Sequence, residues 1–133
     1  MSMTDEASLL LTEQPLDLDT AAFPTGIGAD VRFIGTVRGS EKGRAIAGIR
    51  YTAYASMALK LMRDLRSAGL QRWGAHGLVL HHRLGFVPAE EVSIVISVRT
   101  PHSAEAFEIC RWYLAEVKQR VPIWKEIVEH GQG

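Results

Sequence analysis

Apolar and polar residues follow two different periods along this chain. Five stretches show the short runs and alternation that are typical of β-strands. These expected strands are Ser8–Glu13, Ala29–Arg38, Ile46–Tyr54, His76–Leu84 and Glu91–Thr100. Two longer stretches repeat their apolar residues every three to four positions, which indicates amphipathic helices. They begin near Ser56 and Ser103 and are expected to end near Gly69 and Val121. Strands combined with two packing helices predict an α+β fold.

The connections between these elements suggest how the strands pair. The stretch 39–44 is polar and contains two glycines, so we expect a mobile loop there. The strands on either side of it, Ala29–Arg38 and Ile46–Tyr54, are expected to pair as a hairpin. The segment Asp17–Phe23 is expected to form one or two helical turns before a proline.

No linker or repeat divides the chain, so we interpret residues 1–133 as a single domain. Residues 1–28 form a variable N-terminal region, and residues 122–133 form an extended C-terminal arm. At the start of the second helix, Ser103 is expected to cap free N–H groups, and Glu105 suits the positive end of the helix dipole. The expected buried stripe of that helix is Ala106, Phe107, Cys110, Leu114 and Val117.

The end of the second helix is the most distinctive stretch. Pro122 lacks an N–H and biases the residue before it out of the helical region, so the helix should end there. The alternation that follows predicts a short strand. Lys118 then lies at a helix end, and Lys125 lies on an arm that can fold back towards it. Two ammonium groups converging beside Ile123 and Trp124 would form a small anion pocket, suited to proton transfer or nucleophilic chemistry. The alternative is that both lysines are solvated surface residues.

Composition restricts the class of protein. Of the 133 residues, 47% are hydrophobic and 23% are charged, as expected for a soluble globular domain. Lysine plus arginine and aspartate plus glutamate number 15 each, so net charge does not favour nucleic acid or membrane binding. The one cysteine, Cys110, excludes an internal disulfide and fits a reducing compartment. The N-terminus lacks the bases of a signal peptide, and no apolar run approaches a membrane span. We therefore expect a cytoplasmic protein.

Two further positions suit an anionic ligand. Arg38 ends a strand just before the glycine-containing loop, and its planar guanidinium matches phosphate. His102 precedes a helix, where free N–H groups attract anions. The alternative is that Arg38 is a solvated surface arginine and that His102 is a capping or packing residue. His81 and His82 are neighbours on one strand and should point to opposite faces, and no metal motif is present. We expect no metal and no cofactor.

Five segments occur in an order that resembles a known family. They are Gly35-Thr36-Val37-Arg38, Tyr51-x-x-Tyr54-x-x-Met57-Ala58, His82-Arg83-Leu84-Gly85, His102 followed by Ala106-Phe107-Glu108, and Lys118-x-x-x-Pro122-Ile123-Trp124-Lys125. With them, from about Ala29 to Lys125, the chain resembles the large, catalytic subunits of molybdopterin synthase. The resemblance implies an α/β-hammerhead-like fold of antiparallel strands with two main packing helices. It also implies a homodimer that binds one small ubiquitin-like sulfur-carrier subunit per large subunit.

The resemblance further implies an activity. The C-terminal Gly-Gly thiocarboxylate of the carrier would enter a pocket of the large subunit. There its sulfur would be transferred, twice over, to cyclic pyranopterin monophosphate, generating the dithiolene of molybdopterin. By position, Lys118 looks like the lysine near the terminal glycine of the carrier. Lys125 looks like the second essential lysine, which holds the substrate or acts in acid–base steps. Arg38 and His102 look like ligands of the substrate anion.

The chain departs from the family pattern in three places. Two of these departures, Ser103 and the short C-terminal tail, favour a second hypothesis, whereas the retained Lys118, Lys125, Arg38 and His102 favour the enzyme. Ser103 stands where the family usually has an arginine, and Glu126 stands where it typically has another base. We still expect Ser103 and Glu126 to be among the substrate-binding residues. The chain also ends at Gly133, whereas many members continue with a tail that helps line the pocket. The second hypothesis is a catalytically weak, dimeric binding or scaffold paralogue of the same fold that still binds the ubiquitin-like partner. A small-molecule-binding α+β domain without sulfur chemistry is a third.

Overall fold

The computed structural model describes residues 6–18 and 25–131 of the chain. Within these residues the helices are α1 (Ala55–Trp73) and α2 (Ser103–Arg120). The strands are β1 (Ala7–Thr12), β2 (Ala29–Thr36), β3 (Ser40–Glu41), β4 (Arg44–Thr52), β5 (Gly77–Arg83), β6 (Gly85–Pro88), β7 (Val92–Thr100) and β8 (Trp124–Glu129). The helical turns expected at 17–23 lie mostly outside the described residues, and the two described positions, Asp17 and Leu18, are not helical.

The larger sheet has the strand order β1-β5-β7-β2. Its strands pair antiparallel except for β1 and β5, which run parallel. Both helices pack on one face of this sheet, because α1 and α2 each bury an apolar stripe against alternate strand residues. The side chains at the centre of this core are Met62, Leu65, Leu80, Ile96, Ile109 and Tyr113. The predicted α+β fold with two main packing helices is confirmed.

A polar cluster holds the start of β2 against β7 on the other face of the sheet. Ser97 Oγ donates a hydrogen bond to Asp30 at 2.7 Å. The guanidinium groups of Arg32 and Arg99 bond the same carboxylate at 2.8 and 3.2 Å. Burial alone would raise the pKa of Asp30, but the hydrogen bonds from Ser97 and both arginines hold this pKa below its ordinary value. The ionised carboxylate therefore anchors β2 as the last strand of the sheet.

The smaller sheet is built around β4. This strand forms a hairpin with β3 and pairs with both β6 and β8. Since Gly48–Tyr51 pair with both partners, β6 and β8 lie on opposite edges of β4. A second core of Val37, Ile46, Ile49 and Val87 fills this layer. Strand β6 follows β5 after Leu84, and a turn at Ala89 and Glu90 leads from it into β7. The arm at the C-terminus is thus a paired strand rather than a free extension.

The expected hairpin between the second and third strands is wrong. Strand β2 pairs with β7, while β4 takes its partners from β3, β6 and β8. The physical reason is that the two strands serve different cores: Val31 and Phe33 pack with the helices, whereas Ile46 and Ile49 belong to the smaller sheet. The loop expected at 39–44 contains a tight β3–β4 turn, in which Lys42 has φ 52°.

The expected end of α1 at Gly69 is also wrong. The helix continues to Trp73, and Gly74, with φ 78°, takes the terminating position. Gly69 lies inside the helix because a side chain there would collide with the hydroxyl of Tyr113 on α2. The glycine marks a close approach of two helices instead of a helix end.

Helix α2 ends at Arg120, as predicted from Pro122. Its start differs: His102 occupies the N-cap position without a side-chain cap bond, and Ser103 is the first helical residue. The buried stripe also differs, since Phe107 is 65% exposed. Its place in the core is taken by Ile109 and Tyr113. Neither described helix is long and apolar enough to cross a membrane.

Candidate active site

A pocket of about 480 Å³ lies where the end of α2 and the start of β8 meet both sheets. Its walls come from β2, β4, β5, β7, α2 and β8. Lys118 from α2 and Lys125 from β8 both line it. The fold therefore brings together the two lysines that the sequence singled out.

The local chain path explains why the two lysines meet. Beyond α2, the N–H of Val121 donates to the carbonyl of Val117 at 3.1 Å, and the N–H of Ile123 donates to the carbonyl of Val121 at 2.9 Å. These bonds reverse the chain around Pro122 and start β8, which runs antiparallel to β4. Lys125 then lies opposite Tyr51, another residue of the pocket wall.

The apolar neighbours of the lysines are only partly as expected. Ile123 lines the pocket. Trp124 does not, because successive strand residues point to opposite faces. Its ring packs edge-on against Tyr54, with centroids 5.9 Å apart, and helps to line a different cavity. The expectation that Trp124 lies beside both ammonium groups is therefore wrong.

The charged side chains described in the pocket lining are all positive. Its described lining contains two lysines and no carboxylate. Neither Lys118 nor Lys125 forms an ion pair with another described residue. Phe33, Ile94 and Ile123 provide apolar wall, which weakens solvent screening near the cations. The arrangement suits an anionic ligand.

His82 is a pocket residue that sequence reasoning did not assign to the site. Its side chain is 9% exposed and packs edge-on against Tyr51, with ring centroids 5.0 Å apart. Nδ1–H donates to the carbonyl oxygen of Arg83 at 2.7 Å. Burial lowers the pKa of His82, and the bond to the Arg83 carbonyl opposes this only in part. The imidazole is therefore neutral near pH 7. The sequence could have indicated that His82 is buried, because alternation along the strand places it on the same face as Leu78 and Leu80, which are both buried.

The expected separation of the two neighbouring histidines is confirmed. His81 lies on the other face of β5, where its Nε2 and the hydroxyl of Ser8 lie 2.8 Å apart. Across the part of the chain that the structure describes, no three histidine, cysteine, aspartate or glutamate side chains come close enough together to hold a metal ion.

The buried state of His82 predicts loss of stability in acid. Its pKa in the folded state lies below the value of about 6.5 in the unfolded chain, so the unfolded chain binds more protons below that pH. The free energy of unfolding should decline as pH falls from about 6.5, by at most about 1.4 kcal/mol per pH unit from this group. Urea unfolding at pH 7.0 and 5.5 measures the decline, and His82→Gln should reduce it. An equal decline in the variant would contradict the assignment.

Arg38 does not line the pocket. It follows the pocket residue Thr36 by two positions, and its side chain is 78% exposed and paired with Glu41 at 3.1 Å. Glu126 is the neighbour of Lys125 but points to the other face of β8 and pairs with Arg50 at 3.8 Å.

His102 and Ser103 lie at the opposite end of α2 from Lys118. At a rise of 1.5 Å per residue, the helix separates His102 from Lys118 by about 24 Å. Among the described residues of one chain, the two predicted catalytic lysines thus share a pocket, and the four predicted substrate ligands lie outside it.

Comparison with known proteins gives a consistent result. The family model described as "MoaE protein" matches residues 11–120. A molybdopterin synthase catalytic subunit of Thermoplasma volcanium is 39% identical over 120 residues, covering 90% of this chain and 88% of the relative. The corresponding protein of Emericella nidulans is 40% identical over 106 residues, covering 78% of this chain, which spans only 54% of that relative's length.

Solved structures agree in fold. A molybdopterin synthase structure from Staphylococcus aureus matches with a TM-score of 0.83 at 24% identity, covering 98% of this chain and 94% of the other. A complex of subunits 1 and 2 of molybdopterin-converting factor from Helicobacter pylori matches with a TM-score of 0.63 at 21% identity, covering 80% and 74%. The resemblance inferred from the five sequence segments is confirmed. The chain therefore belongs to the MoaE family, whose curated relatives are molybdopterin synthase catalytic subunits.

Proposed function

We propose that this chain acts as a molybdopterin synthase catalytic subunit, a sulfurtransferase of molybdenum cofactor biosynthesis, and that Lys118 and Lys125 carry its chemistry. Sulfur passes from the thiocarboxylated C-terminus of a small ubiquitin-like carrier to cyclic pyranopterin monophosphate. The observation that carries the proposal is the convergence of both lysines in one pocket whose described lining holds no carboxylate.

The chemistry of the reactants explains the need for these cations. A thiocarboxylate, a cyclic phosphate and an oxyanion formed during acyl transfer are all negatively charged. Preorganised ammonium groups stabilise such charge more strongly beside apolar walls than in bulk water. In this proposal Lys118 binds the end of the carrier tail, and Lys125 holds the substrate or moves protons.

The proposal includes a small-subunit partner and a second copy of this chain. The Helicobacter complex of subunits 1 and 2 supports a small-subunit partner for this chain. His102 lies about 24 Å along α2 from Lys118, so it contacts a ligand in the pocket only if a second copy supplies it. The proposal therefore includes a homodimer in which the second copy supplies His102. Arg38 reaches a phosphate in the pocket only after leaving Glu41. A cytoplasmic location remains a prediction.

Reconstitution tests the proposal. Purified protein is mixed with a thiocarboxylated carrier and cyclic pyranopterin monophosphate, and dithiolene product is measured. We expect product with the wild-type chain and a rate about a hundredfold lower for Lys125→Ala, as for loss of a positioned acid–base group. Lys60→Ala is the matched control, because this lysine pairs with Asp64 on the exposed face of α1. Product formation unaffected by Lys125→Ala would contradict the assigned role.

The scaffold hypothesis gives a different result in the same experiment. It is favoured by the position of His102 and Ser103 far from the lysine pocket of their own chain. A carrier that binds tightly while no dithiolene forms would support a binding paralogue in place of the enzyme.

A further inference from the structure

His82 on β5 is the histidine of the pocket that holds both lysines. Its Nδ1–H donates to the carbonyl oxygen of Arg83 at 2.7 Å, which fixes the tautomer of the ring. The lone pair of the neutral imidazole therefore lies on Nε2. This nitrogen has no hydrogen-bond partner among the described residues and is not fully buried. The pocket thus contains a basic nitrogen that is free to bond a ligand or a water molecule.

The imidazole is held in one orientation by its neighbours. The ring of Tyr51 packs edge-on against it, with centroids 5.0 Å apart and planes at 73°. The same tyrosine is the partner of Lys125 in the pairing of β4 with β8. On either side of β5, the strand partners of His82 are the apolar residues Leu11 and Ile94. Packing and the bond to the backbone therefore preorganise this base next to a lysine.

The other polar groups of the pocket are poor proton acceptors. An ammonium group, as on Lys118 and Lys125, has three donors and no acceptor. The hydroxyl of Ser93 donates to the carbonyl of Gly35 at 3.3 Å. A neutral phenol, as on Tyr51, is a much weaker base than an imidazole. Within the described lining, the group best suited to take a proton near neutral pH is the imidazole.

The proposed reaction needs such a base at one step. Once the carrier sulfur has bonded to a carbon of the pterin, a thioester joins carrier and substrate. Water must release the carrier. A bond forms between the water oxygen and the carbonyl carbon of the carrier, and the bond from that carbon to sulfur breaks with its electron pair remaining on sulfur. The water gives up two protons, one to a base during attack and one to solvent from the new carboxylic acid.

We infer that His82 is the catalytic base of this step and that its Nε2 takes a proton from the water that cleaves the thioester. The inference rests on the proposed function for the identity of the reaction. It also divides the work of the pocket, because the two ammonium groups stabilise negative charge while the imidazole accepts the proton. A positioned proton acceptor of this kind contributes roughly 10²–10⁴-fold to the rate.

The substitution His82→Gln tests the role directly. We expect kcat for dithiolene formation to fall about a hundredfold, while the KM for carrier stays within about twofold of the wild-type value. Mass spectrometry of the carrier should show the carrier–substrate thioester accumulating, which a merely structural role of His82 would not produce. Circular dichroism checks that the variant is folded.

His81→Gln is the matched control. His81 is the neighbouring histidine on the other face of β5, where its Nε2 lies 2.8 Å from the hydroxyl of Ser8. The same substitution at this position should leave kcat within about twofold of the wild-type value, without accumulation of the thioester.

The pH dependence of carrier release can be measured in the wild-type chain, so it does not depend on the folding of a variant. Burial lowers the pKa of His82. The rate should therefore rise with pH through a value below about 6.5, as the imidazole loses its proton, and then level off. The titratable groups that share the described lining with His82 are Tyr51 of β4, Lys118 of α2 and Lys125 of β8, and the residues of β2 and β7 there do not titrate. In His82→Gln the acid limb should disappear.

Added imidazole provides a second measurement. In His82→Ala the side chain is removed from a pocket of about 480 Å³, which leaves room for imidazole from solution. We expect the rate of thioester cleavage in this variant to rise with imidazole concentration, whereas the wild-type rate should not change.

The outcomes separate this inference from the proposed function. If the wild-type chain forms dithiolene, the inference is overturned by an unchanged kcat in His82→Gln, by a loss of turnover without accumulated thioester, or by a wild-type release rate that is independent of pH in acid. The proposed function survives each of these results. A wild-type chain that forms neither thioester nor dithiolene would overturn both.

Discussion

Replacing Lys118 by alanine is expected to lower the rate of dithiolene formation by about a thousandfold, the upper range for loss of one preorganised charge-stabilising group. Lys118 lies in the last turn of α2 and lines the pocket. In the proposed function it is the ammonium group that binds the carboxyl terminus of the carrier. Without it, Lys125 is the one lysine left among the described residues of the pocket to stabilise negative charge on the carrier sulfur or its carbonyl oxygen.

Single-turnover assays with preloaded carrier measure this effect without interference from product release. Lys118→Arg is an informative second variant, because it keeps the positive charge but replaces a compact ammonium group with a planar guanidinium group. We expect it to recover carrier binding more fully than turnover. Gln119, the exposed neighbour on the same helix, provides the control substitution Gln119→Ala. A rate for Lys118→Ala within tenfold of the wild-type rate would exclude the role proposed for this lysine.

Gly69→Ala is expected to destabilise the protein by about 1–3 kcal/mol, as overpacking of a filled core does. An exposed glycine inside a helix gives the opposite result, since alanine is the better helix former by about 1 kcal/mol. Here the new Cβ would collide with the Tyr113 hydroxyl and lie 2.8 Å from its Cζ and 3.2 Å from the Trp112 ring. Tyr113 cannot easily move, because it is fully buried and its hydroxyl donates to His76 Nε2 at 2.7 Å.

Urea unfolding followed by circular dichroism gives the free-energy difference. Ser67→Ala, on the exposed face of the same helix, should change the free energy of unfolding by no more than about 0.5 kcal/mol. A Gly69→Ala protein more stable than the wild type would show that helix propensity outweighs the close contact between α1 and α2.

The sequence was sufficient for features that depend on neighbours along the chain. The end of α2 before Pro122 follows from the missing N–H of proline, and the strand after it follows from a period of two. The convergence of Lys118 and Lys125 could be predicted for the same reason, because they are only seven positions apart with one turn between them.

Tertiary structure decided whatever depends on residues far apart in sequence. Strand β2 joins β7 rather than β4 because its apolar residues complete the core beneath the helices. Gly69 lies inside a helix because α1 packs closely against Tyr113, 44 positions later in the sequence. Phe107 is exposed because Ile109 and Tyr113 occupy the buried face of α2. A periodic pattern identifies a helix or strand and the faces that could be buried. Which face is buried, and which strands become neighbours, depends on contacts that form only when the whole chain packs.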